Sequence, residues 1–143
     1  MKNIRNKRTS VSFDFDGTLH DHFHGQHNPN KKAIQNLLVQ LSQDEDFSVY
    51  IVTRRHGPEQ SENGKGNEHQ DVYDLLDELN LRFPEEKIIF TNREMKYYTI
   101  VNLGIDIHLD DEFRDRELIN KFTKGSAVDA TQSNWKTKFD ELL

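Results

Sequence analysis

Asp14 and Asp16, one residue apart, and Asp110 and Asp111, side by side, are the residues whose type and spacing could do chemistry. Each pair ends an apolar stretch of strand character, Val11 to Phe15 in one case and Ile105 to Leu109 in the other. Carboxylates are expensive to place there, because burial favours the protonated form and like charges raise each other's pKa. A cation and a chemical task are the usual reasons for that arrangement. Thr53 closes a further apolar stretch, Phe47 to Val52, and is followed by Arg54 and Arg55. Lys96 stands early in an expected helix, where its charge opposes the helix dipole and so favours a functional reason for it. Asp115 is a further acidic candidate, read as a helix-surface or supporting contact.

The elements that must position these residues alternate along the chain. A strand within Thr9 to Phe15 leads into a polar flap, residues 17–28, that holds His20, His22, His24 and His27. Asn28 and Pro29 have the chemistry of a helix start, and Ala33, Ile34, Leu37, Leu38 and Leu41 follow at helical spacing. Phe47 to Thr53, rich in β-branched and aromatic residues, predicts the second strand. Residues 54–70 show no periodicity and are expected to be a long mobile loop. A helix is expected around Val72, Leu75, Leu76 and Leu79, then a short strand over Lys87 to Phe90. Thr91-x-x-Glu94 matches a capping box, which predicts a helix running to Gly104. A fourth strand, a charged helix over 112–121, an edge strand over 126–130 and a last helix burying Trp135, Phe139 and Leu142 complete the chain.

This order predicts one α/β domain over residues 1–143, a three-layer Rossmann-like sandwich around a mostly parallel five-stranded sheet. In such sheets ligands bind beyond the carboxyl ends of the strands, where the chain order reverses. Asp14, Thr53 and Asp110 all fall at strand ends of that kind.

Composition narrows the classes. The 143 residues contain no cysteine, which excludes a disulfide framework, a thiol nucleophile and a thiolate metal site. No apolar run is long enough to cross a membrane, and no apolar stretch follows the basic start as a signal peptide would require, so a soluble, cytoplasmic protein is expected. The net charge of −6 speaks against a dedicated nucleic-acid binder, and Lys2, Arg5, Lys7 and Arg8 read as a solvated basic tip. The flap histidines could bind a transition metal, but a polar flap facing substrate fits a cysteine-free chain better, with His22 and His24 as substrate contacts.

Asp14-Phe15-Asp16-Gly17-Thr18 resembles the D-x-D-G-T signature of the haloacid-dehalogenase-like (HAD) phosphohydrolases. Thr53, Lys96 and Asp110-Asp111 are similar to the family's second, third and fourth motifs, in the same order. The resemblance implies Mg²⁺, held by the Asp14 carboxylate, the Asp16 backbone carbonyl, Asp110 and waters, with Asp111 close by. An all-oxygen site also suits Mg²⁺ on hardness grounds. It implies Asp14 as the nucleophile that forms an aspartyl-phosphate and Asp16 as the general acid and base. Thr53 and Lys96 would hold the transferring oxygens, with Gly17, Thr18, Arg54 and Arg55 around the substrate. Arg54 and Tyr97 depart from common family patterns, where a small residue follows the threonine and a proline follows the lysine.

Members of that family often carry a cap domain after the first motif or after the third strand. Here the first gap holds only the flap and the second, 91–95, is a tight turn, so the resemblance points to the capless branch. An open site suits a large phosphorylated substrate, a nucleic-acid end or nucleotide being the narrower expectation, although small phosphomonoesters are equally compatible. The loop 54–70 or a second subunit of a homo-oligomer could close it. The alternative is a non-catalytic HAD-like module that binds a phosphorylated partner or protein.

Overall fold

The structure is a computed structural model and describes residues 8–21, 24–64 and 66–143. Its strands are β1 (Thr9–Phe13), β2 (Phe47–Thr53), β3 (Ile88–Phe90), β4 (Ile107–Asp110) and β5 (Ser126–Asp129). Its helices are α1 (Lys31–Ser42), α2 (Gln70–Glu78), α3 (Tyr97–Leu103), α4 (Phe113–Phe122) and α5 (Trp135–Glu141). The strands form one five-stranded sheet in the order β3-β2-β1-β4-β5. Every pairing is parallel, where the sequence predicted a mostly parallel sheet.

Alternation along the strands explains the layers. Val11, Phe13, Val49, Ile51, Ile107, Leu109 and Val128 share one core cluster with Ile34 and Leu38 of α1, Val72 of α2 and Trp135 and Phe139 of α5. Ile100 of α3 and Ile119 of α4 form a second cluster with Ile105, against which Tyr50 of β2 and Ala127 of β5 pack. Helices therefore cover both faces, giving the Rossmann-like α/β architecture. A side chain as deeply buried as Phe13 or Leu38, each 0% exposed, contributes roughly 1.5–3 kcal/mol.

The connections put the chemistry at one end. From β1 the chain winds outward through β2 and β3, then returns so that β4 pairs with β1 on its other side. The switch point lies between the carboxyl ends of β1 and β4, where Asp14 and Asp110 sit. Among the described residues, no helix is long and apolar enough to cross a membrane.

Three local expectations need correction. Helix α1 starts at Lys31 with Asn30 at its cap, not at Asn28 and Pro29. Asn28 is instead buried, and its amide donates to the carbonyls of Gly17 and Ala130, both at 3.0 Å, which ties the flap down. Thr91 and Glu94 do not cap α3: Asn92 and Arg93 have φ of 55° and 75°, a left-handed pair no α-helix accommodates, so the helix starts only at Tyr97. Leu142 is 44% exposed, because α5 turns its buried side, Trp135 and Phe139, to the sheet and ends at Glu141.

Residues 54–70, expected as a loop, are not wholly irregular. They contain a 3-10 helix, Pro58–Asn63, and are fastened at several points. Arg93 donates to both Glu68 oxygens, at 2.6 and 2.9 Å, and Gly57 N–H donates to Asn92. The Arg93 hydrogen bonds, then the His56 N–H against partial burial, pull the Glu68 carboxyl from 4.5 down to about 2. A depressed carboxyl lends its anchoring above the ordinary value and loses it as pH falls through the folded one. Protection of the amides of residues 57–64, 66 and 67 against exchange, relative to their intrinsic rates, is therefore expected to fall between pH 4.5 and about 2, and in Glu68→Gln already at neutral pH. Equal exchange in that variant and the wild type at pH 7 would show that Glu68 does not anchor the loop.

Candidate active site

A cavity of about 480 Å³ opens at the carboxyl ends of β1, β2 and β4. Asp14, Asp16, Thr53, Arg54, Lys96, Asp110, Asp111 and Asp115 line it, so eight of the sequence-selected residues meet there. Asp14 directly follows β1, and its N–H donates to the Leu109 carbonyl at 2.9 Å, which sets it beside β4. Both of its oxygens are held: Oδ1 accepts from Lys96 Nζ at 2.5 Å and Oδ2 from the Thr18 hydroxyl at 2.9 Å. Thr18 is fully buried beneath Asp14, which makes it a support for that carboxylate within the turn.

That turn depends on Gly17. Its φ of 82° is disfavoured for any side chain, and a Cβ there would run into the Asp111 carboxylate. Gly17→Ala is expected to lower stability by roughly 1–3 kcal/mol and to move Asp111 away from Asp14. Denaturant titration measures the first effect and divalent-cation affinity the second. A variant with wild-type values of both would refute this role.

Lys96 sits at the N-cap position of α3, 2% exposed, with its ammonium between Asp14 and Asp110. It donates to Asp110 Oδ2 at 2.7 Å as well as to Asp14. Asp110 is fully buried and its Oδ1 accepts the Glu112 N–H at 2.9 Å. His108 reaches Asp110 Oδ2 from below with Nε2 at 2.7 Å, while its Nδ1 lies 2.6 Å from Ser12 Oγ. A carboxylate only accepts, so Nε2 carries a hydrogen. Ser12 and His108 form a fully buried polar support under the site.

The charges follow from this packing. Burial above all, then the Asp110 and Asp111 charges, push the Asp14 carboxyl well up, against the lowering influence of Lys96. Burial also opposes the charge of Asp110, but Lys96 and His108 overcome it and hold that carboxyl far below its usual range. Burial would neutralise Lys96, yet Asp110, Asp14 and Asp115 together raise its pKa and keep it charged. The site is thus short of positive charge at Asp14.

A divalent cation fits that shortage. Asp14, Asp110 and Asp111 each offer an oxygen, and these atoms lie within 4.8 Å of one another. The donor set is carboxylate only, with Asp14 and Asp110 buried, which matches a hard cation of the Mg²⁺ type.

The remaining candidates have partners of their own. Thr53 is 1% exposed at the end of β2, and its hydroxyl accepts the Arg55 N–H at 3.3 Å. Arg54 lines the cavity but is bound two-pronged by Asp115, at 3.0 and 2.9 Å. Asp115 is not a helix-surface residue: it is 1% exposed and also accepts the Lys96 N–H at 3.3 Å. Arg55 donates to both Asp16 oxygens, at 3.0 and 2.8 Å, and to Asp71 at 2.7 Å. Gly17, Thr18, Arg55 and His24 are not among the described residues that line the cavity, and His24 is exposed. His22 and the basic residues Lys2, Arg5 and Lys7 lie outside the described residues.

Gln26, Glu112 and Thr131 line the cavity without having been selected from sequence. Gln26 stands in a histidine-rich loop and Thr131 after an edge strand, and neither position carries a sequence signal. His108 offered one, a polar residue at an interior position between Ile107 and Leu109. No protein-family model matches the chain and no curated protein matches it, so the candidate site stands on its own geometry.

Proposed function

We propose that the protein is a capless HAD-like phosphohydrolase, a Mg²⁺-dependent phosphomonoesterase that works through an aspartyl-phosphate on Asp14. The observation that carries this reading is the meeting of Asp14, Lys96, Thr53 and the Asp110-Asp111 pair around one cavity at the switch point. Mg²⁺ held by Asp14, Asp110, Asp111 and the Asp16 carbonyl would supply the positive charge that lets a carboxylate approach a phosphate dianion.

The chain's own groups do the rest. Thr18 and Lys96 fix the Asp14 oxygens. Asp14 attacks phosphorus, the bond to the alcohol oxygen breaks, and Asp16 gives that oxygen a proton. The Thr53 hydroxyl and the Lys96 ammonium donate to the transferring oxygens as charge shifts onto them. Water then attacks the aspartyl-phosphate, Asp16 takes its proton, and phosphate leaves with Asp14 restored. Arg55 holds both Asp16 oxygens, so each proton transfer follows the opening of that pair.

Hydrolysis of p-nitrophenyl phosphate tests the reading. Turnover is expected with Mg²⁺, to vanish with a chelator, and to be poor with Ca²⁺, whose looser geometry misplaces the attacking oxygen. Metal-independent turnover would sink the mechanism. Phosphopeptide or phosphonucleotide binding without turnover would favour a non-catalytic module.

A further inference from the structure

Substrate charge can be read from what the arginines already hold. Among the described residues near the strand ends, Arg54 is bound by Asp115, Arg55 by Asp16 and Asp71, Arg93 by Glu68, and Arg116 by Asp129 at 3.2 Å. Each guanidinium therefore has its own carboxylate. The described residues lining the cavity comprise six carboxylates against two cations, Arg54 and Lys96. A divalent cation and one phosphoryl group would leave the surrounding wall negative. A second phosphate, as in a nucleic-acid strand or a nucleoside diphosphate, would meet repulsion and no unclaimed arginine.

Three further residues that line the cavity, Thr131, Glu112 and Gln26, are neutral or accepting. Thr131 gives its hydroxyl hydrogen to Asp129 at 2.7 Å, which leaves its oxygen able only to accept. Glu112 accepts from Arg114 N–H at 3.2 Å and has further lone pairs. The Gln26 amide, which can accept or donate, has no hydrogen-bond partner among the described residues. This wall is held in place: Asn30 donates to the carbonyls of Ala130 and Gln132, both at 2.9 Å, and Asn28 donates to Gly17 and Ala130. Acceptors of this kind match hydroxyl donors, whereas a phosphate or carboxylate brings only acceptors.

We infer that the alcohol released at this site is uncharged and carries hydroxyl groups beside the phosphorylated one, which Gln26, Thr131 and Glu112 receive. A polyol and a nucleoside share that chemistry. This deepens the phosphohydrolase reading and rests on it. It also speaks against the nucleic-acid end expected for an open site, since Arg54 and Arg55 are already neutralised.

The test uses the full chain with Mg²⁺ and compares kcat/KM values. The panel holds sugar and glycerol phosphates, nucleoside monophosphates, 3-phosphoglycerate, nucleoside diphosphates and oligonucleotides phosphorylated at either end, with p-nitrophenyl phosphate as reference. Monophosphates of an uncharged polyol or nucleoside are expected to exceed those whose alcohol carries further anionic groups by about tenfold or more, and the two sources separate within the panel. Gln26→Ala should narrow that ratio, and Gln26→Lys should shift it toward 3-phosphoglycerate. Preference for oligonucleotides or diphosphates, or no preference at all, overturns the inference while turnover of p-nitrophenyl phosphate keeps the phosphohydrolase reading. Absence of turnover on every substrate overturns that reading and the inference with it.

Discussion

Asp14→Asn is expected to lower phosphatase turnover by at least about 1,000-fold while leaving the fold intact, because it removes the proposed nucleophile and keeps its shape. The same change should have the opposite sign on stability. Burial and the neighbouring Asp110 and Asp111 charges raise the Asp14 carboxyl well above its ordinary 3.8. A carboxyl shifted upward lends stability below its ordinary value and loses it as pH rises through the folded value. The wild type without metal thus carries a burden at neutral pH that asparagine lacks. Thermal unfolding without divalent cations should show Asp14→Asn at least as stable as the wild type, with the gap widening as pH rises. Added Mg²⁺ should stabilise the wild type and not the variant. Wild-type turnover in Asp14→Asn would end the covalent mechanism, and equal Mg²⁺ stabilisation of both proteins would end the metal assignment.

Lys96→Met should destabilise the protein by about 3–5 kcal/mol, since it leaves the Asp14 and Asp110 carboxylates buried without their ammonium. Turnover should fall together with stability, because the same ammonium would hold the transferring oxygens. Lys96→Arg should not rescue either property: the slot is closed, and a planar fork does not replace a point charge between two carboxylates. Two conditions should recover part of the loss, namely Mg²⁺, which supplies positive charge, and mildly acid pH, which neutralises carboxylates no longer held down by Lys96. Urea titration with and without Mg²⁺ at pH 5 and pH 7.5 separates these outcomes. Asp115→Asn should destabilise as well, because it removes a buried carboxylate 3.9 Å from the ammonium that also holds Arg54. A wild-type midpoint for Lys96→Met would show that the three-charge cluster does not govern stability.

The sequence by itself determined the strands, their order along the chain and the residues at their carboxyl ends. Alternation is a local property, so β2 at Phe47–Thr53 was legible to the residue, and with it the placement of Thr53. The same logic put Asp14 and Asp110 at strand ends, and parallel pairing then brought those ends together. Turns were less legible. Thr91-x-x-Glu94 has the composition of a cap, but two left-handed residues follow Thr91, and the Thr91 hydroxyl donates to the Glu94 carbonyl within the turn.

Only the tertiary structure decided which charges neutralise one another. Arg54 and Asp115 lie 61 residues apart, Arg55 and Asp16 39 apart, and Lys96 and Asp14 82 apart. Asn28 reaches Ala130 across 102 residues, and in doing so sets Gln26 and Thr131 on the same wall. Periodicity carries the direction a side chain leaves its own strand or helix, but not the identity of what arrives there from another. That is why sequence located the strand-end carboxylates, whereas the partners that fix their charge, and the meeting of Gln26, Glu112 and Thr131 with them around one cavity, emerged only from the folded chain.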